Sequence, residues 1–358
     1  MAQYLIKRLL YAVLILWGVA TLVFILFNVL PGDPARMLMG QRSDVASIEA
    51  IRKDLGLDRS LGLQYVKYLN DLSPVSYHTN EADDYFYLDP QKYDAHTTIL
   101  QTGGGALVLK PPYLRRSYQS KKQVTSIIGE TIPNTFILAF SSIVFASLVG
   151  IFLGILAAIY KDSLFDRLSI FFSAFGMSLP SFFAAILIGW LFAFVWGDIT
   201  GLNLTGNLYE LDDFGTGVHL RLKNLILPAI TLGIRPLAIV IQLSRNSMLD
   251  VLSQDYIRTA HAKGLKFSRV LLRHALRNSL NPVITAISGW FASLMAGIVF
   301  VEYIFGWKGL GYVIVDALNK YDLPVVMGVV LTISLMFIVI NVLVDITYAM
   351  LDPRVRLR

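Results

Sequence analysis

Residues 253–283 read SQDYIRTAHAKGLKFSRVLLRHALRNSLNPV, a polar and basic stretch set between two long apolar runs. Ser253 is placed to cap a helix starting at Gln254, with Asp255 in the first turn, where the helix dipole favours an anion. The predicted helix continues Tyr256-Ile257-Arg258-Thr259-Ala260-His261-Ala262-Lys263 and stops at Gly264, a glycine in the C′ position. About ten residues at 1.5 Å each make a rod about 15 Å long. Ser268 is placed to cap a second helix. In it Arg269, Arg273 and Arg277 recur every four residues, while Leu272, Ala275, Leu276 and Leu280 form another stripe. The reading is a short knob containing small residues, followed by an amphipathic helix along a membrane surface. On periodicity alone the pair is an ordinary basic surface element.

The flanking runs, 225–249 and 282–301, belong to a set of six with 9–30, 133–160, 168–196 and 325–351. Each reaches the roughly twenty residues needed to cross a hydrocarbon core of about 30 Å. The third contains Ser178-Leu179-Pro180-Ser181; proline frees a carbonyl that the serines can re-satisfy, so one bent helix is expected rather than two short ones. The chain is therefore read as an all-α polytopic membrane protein with about six spans. Composition agrees: 55% of residues are hydrophobic and 16% charged, against about 25% charged in soluble domains. The absence of cysteine excludes disulfides, zinc-thiolate sites and thiol nucleophiles. Lys7-Arg8 before an apolar run also suits a cleaved signal. That run is about twice the usual length, however, and shows no small-x-small site before Pro31-Gly32, so it reads as a retained helix.

Basic residues set the orientation. Lys7, Arg8, Lys161, Arg167, Arg245, Arg258, Lys263, Lys266, Arg269, Arg273, Arg277, Arg354, Arg356 and Arg358 fall on one side; the short loops opposite hold only Arg221, Lys223, Lys308 and Lys320. Both termini are expected in the cytoplasm, and the net charge of +6 is topological rather than a sign of nucleic-acid binding. Residues 1–30 form the first span, 31–131 a large extracytoplasmic segment, and 132–358 a five-helix core with an inner loop at 250–281. Within 31–131, residues 46–57 and 64–72 are predicted helices, and 77–118 reads as irregular or hairpin structure. Gly103-Gly104-Gly105 has neither a following Lys-Ser/Thr nor a helix, which argues against phosphate binding.

Three features stand out inside the spans. Gly150-x-x-x-Gly154, continuing to Ala157 and Ala158, lays down a small-residue stripe for close helix contact, within the chain or against another subunit. Asn341 and Asp345, spaced i, i+4, suggest an interhelical hydrogen bond. Arg235, beside Pro236, lies about ten residues into its span and up to about 15 Å deep. It either pairs with a carboxylate on a neighbouring span or faces a water-filled cavity.

Asp255-Tyr256-Ile257-Arg258-Thr259-Ala260-His261-Ala262-Lys263-Gly264-Leu265, followed by His274-Ala275-Leu276-Arg277-Asn278-Ser279-Leu280-Asn281-Pro282-Val283, resembles the EAA loop of ABC-importer permeases. The version is that of first-permease (B-type) subunits of dipeptide and oligopeptide systems, with Arg258-Thr259-Ala260 standing where the general motif has Glu-Ala-Ala. Leu30-Pro31-Gly32-Asp33-Pro34, Leu55-Gly56-Leu57-Asp58, Glu302-Tyr303-Ile304-Phe305-Gly306-Trp307 with Gly309-Leu310-Gly311, and Asp322-Leu323-Pro324 also resemble that family. So do Asn341, Asp345, Tyr348 and Asp352-Pro353-Arg354. Residues 77–115 are longer and more divergent than the usual loop, and Arg235 stands where the family usually has an uncharged residue.

The resemblance implies a type I ABC importer permease fold in a bacterial inner membrane. It implies that Asp255, Tyr256, Arg258, Thr259, Ala260, Ala262, Lys263 and Gly264 dock in a groove of an ATP-binding subunit, whose closure turns a cavity between two permeases from inward- to outward-facing. The implied assembly has a second, non-identical permease, two ATP-binding subunits and an extracytoplasmic substrate-binding protein. ATP and Mg sit on the partners and no cofactor on this chain, which lacks G-x-x-x-x-G-K-[ST] and is not expected to be an enzyme. Peptide is the implied substrate and nickel the rival, although none of His78, His96, His219, His261 and His274 falls in a predicted span. An ion-coupled secondary transporter would favour an internal repeat and would leave the EAA-like loop without a role. Under the importer reading, Arg235 would attract a peptide's C-terminal carboxylate. Tyr85, Phe86, Tyr87, Tyr93, Tyr113 and Tyr118 would dock the binding protein or pack as a self-contained outer cap.

Overall fold

Apolar runs of this length satisfy their backbone polar groups in lipid only as helices. The computed structural model describes residues 2–28, 49, 52, 56–81, 83–90, 92–93, 95–211 and 217–351, and within them each of the six runs is helical over most of its length. Among the described residues, four helices are long and apolar enough to span: Ile6–Phe27, Val124–Ile159, Lys223–Leu252 and Leu323–Ile346. Two bent pairs, Leu164–Ser178 with Ser181–Val195 and Phe267–Met295 with Gly297–Ile304, bring the number to six when each pair is counted as one span. The elements used below are α1 (Ala2–Asn28), α2 (Leu61–Leu72), β1 (Val75–Thr79), β2 (Thr97–Thr102), β3 (Gly105–Leu109) and α3 (Val124–Ile159). After them come α4 (Leu164–Ser178), α5 (Ser181–Gly189), α6 (Lys223–Leu252), α7 (Asp255–Ala262), α8 (Leu276–Ile304), α9 (Leu310–Asn319) and α10 (Leu323–Leu351). A two-stranded hairpin, Tyr209–Leu211 with Val218–Leu220, precedes α6.

The chain divides into two units, residues 1–131 with 313–336 and residues 132–312 with 337–358. In the first, α1 buries one stripe, Ala20, Val23 and Phe24, against Tyr68 of α2 and Met327 and Leu331 of α10. Its other faces present Leu9, Leu10, Leu14 and Trp17 outward, as suits a helix whose remaining neighbours are lipid. The strands form an antiparallel sheet in the order β1-β3-β2. Gly103 and Gly104 are the two-residue turn joining β2 to β3, braced by the Thr102 hydroxyl donating to the Gly105 carbonyl at 2.8 Å. Gly105 itself is set by packing, since a Cβ there would sit 2.5 Å from the His78 carbonyl oxygen. The predicted helix at 46–57 lies almost wholly outside the described residues, as do Leu30-Pro31-Gly32-Asp33-Pro34, Leu55 and Asp352-Pro353-Arg354. Asp322 ties down the stretch before α3: its carboxylate accepts from the Ser117 hydroxyl and from the backbone N–H of Tyr118 at 2.9 Å.

In the second unit α3 and α6 touch through backbone. A Cβ at Gly154 would sit 2.6 Å from the Ile241 carbonyl oxygen, and one at Gly150 would sit 2.7 Å from Val240 Cγ1. From the other side, a Cβ at Gly233 would lie 2.9 Å from the Ser142 carbonyl. The stripe on α3 is therefore an intrachain contact. At the other end of α6, Arg245 forms a two-pronged pair with Asp166 of α4, Nε to Oδ1 at 2.5 Å and Nη2 to Oδ2 at 2.7 Å. Asp166 is 1% exposed, and its carboxylate also accepts from the Asp162 N–H at 2.9 Å. Glu302 of α8 is likewise buried and accepts from Gly311 and Tyr312 N–H at 2.6 and 3.2 Å, capping the start of α9.

One sequence expectation needs correction here. The third span is two helices meeting at 112°, not one bent helix. Pro180 has no N–H to continue the ladder, and it pushes Leu179 into extended backbone at φ −72°, ψ 126°. The Asn341 amide donates to the Phe337 carbonyl of its own helix at 2.8 Å.

Candidate functional site

The knob forms with different caps from those expected. The N-cap of α7 is Gln254, without a side-chain bond, and the Ser253 hydroxyl donates to the Asp250 carbonyl at 2.8 Å. Ser268 does not cap the next helix, which opens at Phe267. The C-terminus follows expectation: Gly264 stands at φ +77°. Its N–H donates to His261 at 2.9 Å, and the Leu265 N–H donates to Ala260 at 3.3 Å. This pair of bonds is the Schellman arrangement. A side chain at Gly264 would meet nothing within 4 Å, so glycine is required there by backbone conformation and not by packing inside this chain.

The residues singled out by sequence divide between two faces. Asp255, Tyr256, Arg258, Thr259, Ala262, Lys263 and Gly264 are exposed. Ala260 is not: with Ile257 it packs into a cluster with Ala158 of α3, Met248 of α6, and Val270 and Ala275. Val270–Ala275 is a π-helical turn, and its five-residue spacing puts Val270 and Ala275 inward together. Leu272, from the predicted apolar stripe, is exposed. The turn runs directly into α8, which passes through Pro282, so the second short helix is continuous with the fifth span. The Asn278 amide donates to the Tyr256 hydroxyl at 2.9 Å, and the Ser247 hydroxyl donates to the Ser279 carbonyl at 2.8 Å, tying α7 and α6 to α8. The knob thus sits on a packed base connected to three spans, with its basic and small residues turned outward.

Arg235 is exposed in the middle of α6. It makes no ion pair among the described residues; its Nη2 donates to the Met177 carbonyl at 3.4 Å. The break at Pro180 interrupts the helix just beyond Met177.

A third site lies in the first unit, where a cavity of about 590 Å³ is lined by Lys67, Asp71, Tyr85, Tyr93, Arg115 and Tyr118 among others. Asp71 is its hub. It accepts from the Tyr93 hydroxyl at 2.7 Å and pairs with Lys67 at 3.6 Å and Arg115 at 3.9 Å. Lys67 stands 5.3 Å from the Phe86 ring centroid, and Lys110 stands 5.1 Å from that of Tyr93. Burial, against the pull of Asp71 and with the help of Lys67, lowers the Lys110 ammonium to about 8. Burial and the neighbouring lysines lower the His78 imidazole to about 4. Composition showed the aromatic density here; the carboxylate hub and the buried pair Asp166–Arg245 carried no local motif.

Residues 150–357 match the model of the binding-protein-dependent transport system inner membrane component, and residues 1–82 match the N-terminal model of the same transport-system membrane component. The chain belongs to this family. It is a multi-pass membrane permease of an ABC importer and not itself an enzyme. It is 35% identical to the glutathione transport system permease protein GsiC of Pectobacterium atrosepticum, over 99% of each chain. It is 31% identical to the dipeptide transport system permease protein DppB of Alkalihalophilus pseudofirmus, over 99% of this chain and 100% of that one. Among solved structures it is similar to the MetNI methionine ABC transporter in an inward-facing conformation, at 14% identity and a TM-score of 0.50, over 64% of this chain and 98% of that one. That likeness concerns the fold, the type I importer permease fold.

Proposed function

We propose that this permease forms half of a translocation pathway for peptides, driven by ATP-binding subunits that dock on the exposed face of α7. The carrying observation is the knob itself: an exposed small-and-basic surface ending in a positive-φ glycine, on a base packed against α3, α6 and α8. Such a base transmits a push on Tyr256, Arg258, Lys263 or Gly264 to three spans together. The names of the relatives, glutathione and dipeptide permeases, support a peptide substrate over nickel. The basic residues support cytoplasmic termini and an extracytoplasmic 31–131 segment. The complete assembly has a second, non-identical permease, two ATP-binding subunits carrying ATP and Mg, and a substrate-binding protein that docks near the aromatic cavity of residues 56–121.

The docking site is tested by co-purification from cells expressing the whole system. Lys263→Glu and Gly264→Asp should each reduce recovery of the ATP-binding subunits, while Lys161→Glu, exposed but outside the knob, should not. Unchanged recovery with both knob variants would place the docking surface elsewhere.

A further inference from the structure

Most of α6 is covered by its neighbours, but one face carries three polar side chains, with Ile239 between the first two. Arg235, Gln242 and Asn246 are spaced seven and four residues apart, so they share a face of the helix. Arg235 lies 12 residues beyond Lys223 (235 − 223) in a helix of 30 residues, which is roughly 18 Å along the axis. A guanidinium at that depth is costly against hydrocarbon, and such residues face protein or a water-filled passage. Its contact within the chain is specific. The Met177 carbonyl would normally accept from residue 181, but the break at Pro180 removes that bond, and Arg235 reaches the carbonyl instead at 3.4 Å. One prong of the guanidinium is thereby oriented, and among the described residues no carboxylate meets the others. The break and the arginine act as one device.

We propose that Arg235, oriented by the Met177 carbonyl, receives the terminal carboxylate of the peptide in transit and makes the pathway selective for peptides with a free C-terminus. This rests on the importer reading above. A guanidinium fork suits a carboxylate because two parallel N–H···O bonds form at once, which a lysine at the same place does not reproduce. Gln242 and Asn246 continue the same face of α6, along which the rest of the peptide backbone finds hydrogen bonds.

The test uses the whole importer in proteoliposomes, with the binding protein saturated by either a labelled dipeptide or its C-terminal amide. The wild type should take up the free acid in preference to the amide. Arg235→Gln should lower the acid-to-amide uptake ratio about tenfold, the size of one lost charged hydrogen bond. Arg235→Lys should recover only part of it. The proposal is overturned if the ratio is the same in Arg235→Gln as in the wild type. It is equally overturned if complex yield falls in step with uptake, since Arg235 would then be pairing with a neighbouring subunit. Absence of ATP-dependent uptake of either form by the wild type would sink the importer reading itself, and this inference with it.

Discussion

At the scale of single residues, the knob separates two roles that its sequence merges. Ala260 faces inward and Gly264 outward, four positions apart on the same short element. Ala260→Leu should destabilise the permease by about 1–3 kcal/mol through overpacking against Met248 and Val270. Gly264→Ala should cost about 1–2 kcal/mol through its left-handed backbone alone, since its Cβ would meet open space. Lys263→Ala should leave thermal unfolding of the isolated permease nearly unchanged while weakening recovery of the ATP-binding subunits. Differential scanning of detergent-purified variants checks the three stabilities, and co-purification from the whole system checks the recovery. His78 gives a pH dependence. Its imidazole is held neutral, with Ser76 Oγ 3.0 Å from Nε2 and the Phe86 carbonyl 3.2 Å from Nδ1. Because its folded value is lowered from 6.5 to about 4, the unfolded chain takes up a proton in that window and the folded chain does not. The sheet should therefore lose stability as pH falls from about 6.5 to about 4, measured as reduced amide-exchange protection of β1 and β3. A His78→Asn variant should lose much of this dependence.

At the scale of elements, the α3–α6 contact is set by glycines whose absent side chains admit a backbone. Gly154→Ala should lower the melting temperature, because its Cβ would sit 2.6 Å from the Ile241 carbonyl and the helices must part. Gly129→Ala, on the same helix with nothing within 4 Å, should raise it slightly by the usual helix gain of about 0.5–1 kcal/mol. Equal effects would contradict the close contact. The stripe was legible from its four-residue spacing, but its partner was not, since spacing carries no information about which helix lies opposite. Pro180 was legible as an interruption; the 112° angle depends on Leu179 leaving the helical region, which local sequence permits but does not compel. The capping serines misled for a similar reason. Ser253 has a nearer acceptor in the Asp250 carbonyl, and the helix that was to start at Ser268 starts at Phe267 and runs on into a span. The Asp166–Arg245 pair was hidden because its members are 79 positions apart and Arg245 had already been explained as a topological charge. Burying such a pair makes removal of either partner costly, about 3–5 kcal/mol.

At the scale of the whole molecule, the family, the six apolar crossings and the knob were all readable, because apolar length, a run of matching residues and a positive-φ glycine are each written locally. What required three dimensions was the base beneath the knob, where Ala158, Met248, Ile257 and Val270 converge from three separate helices and a π-helical turn. That convergence is the physical reason for expecting an event at α7 to move the spans together. The most direct measurement is uptake of a labelled dipeptide by the complete system in proteoliposomes, with ATP supplied on the side of the knob, for the wild type and for Gly264→Asp. Uptake should require ATP and the ATP-binding subunits and fall to background in Gly264→Asp. Uptake driven by an ion gradient without ATP, and unaffected by Gly264→Asp, would contradict the importer reading.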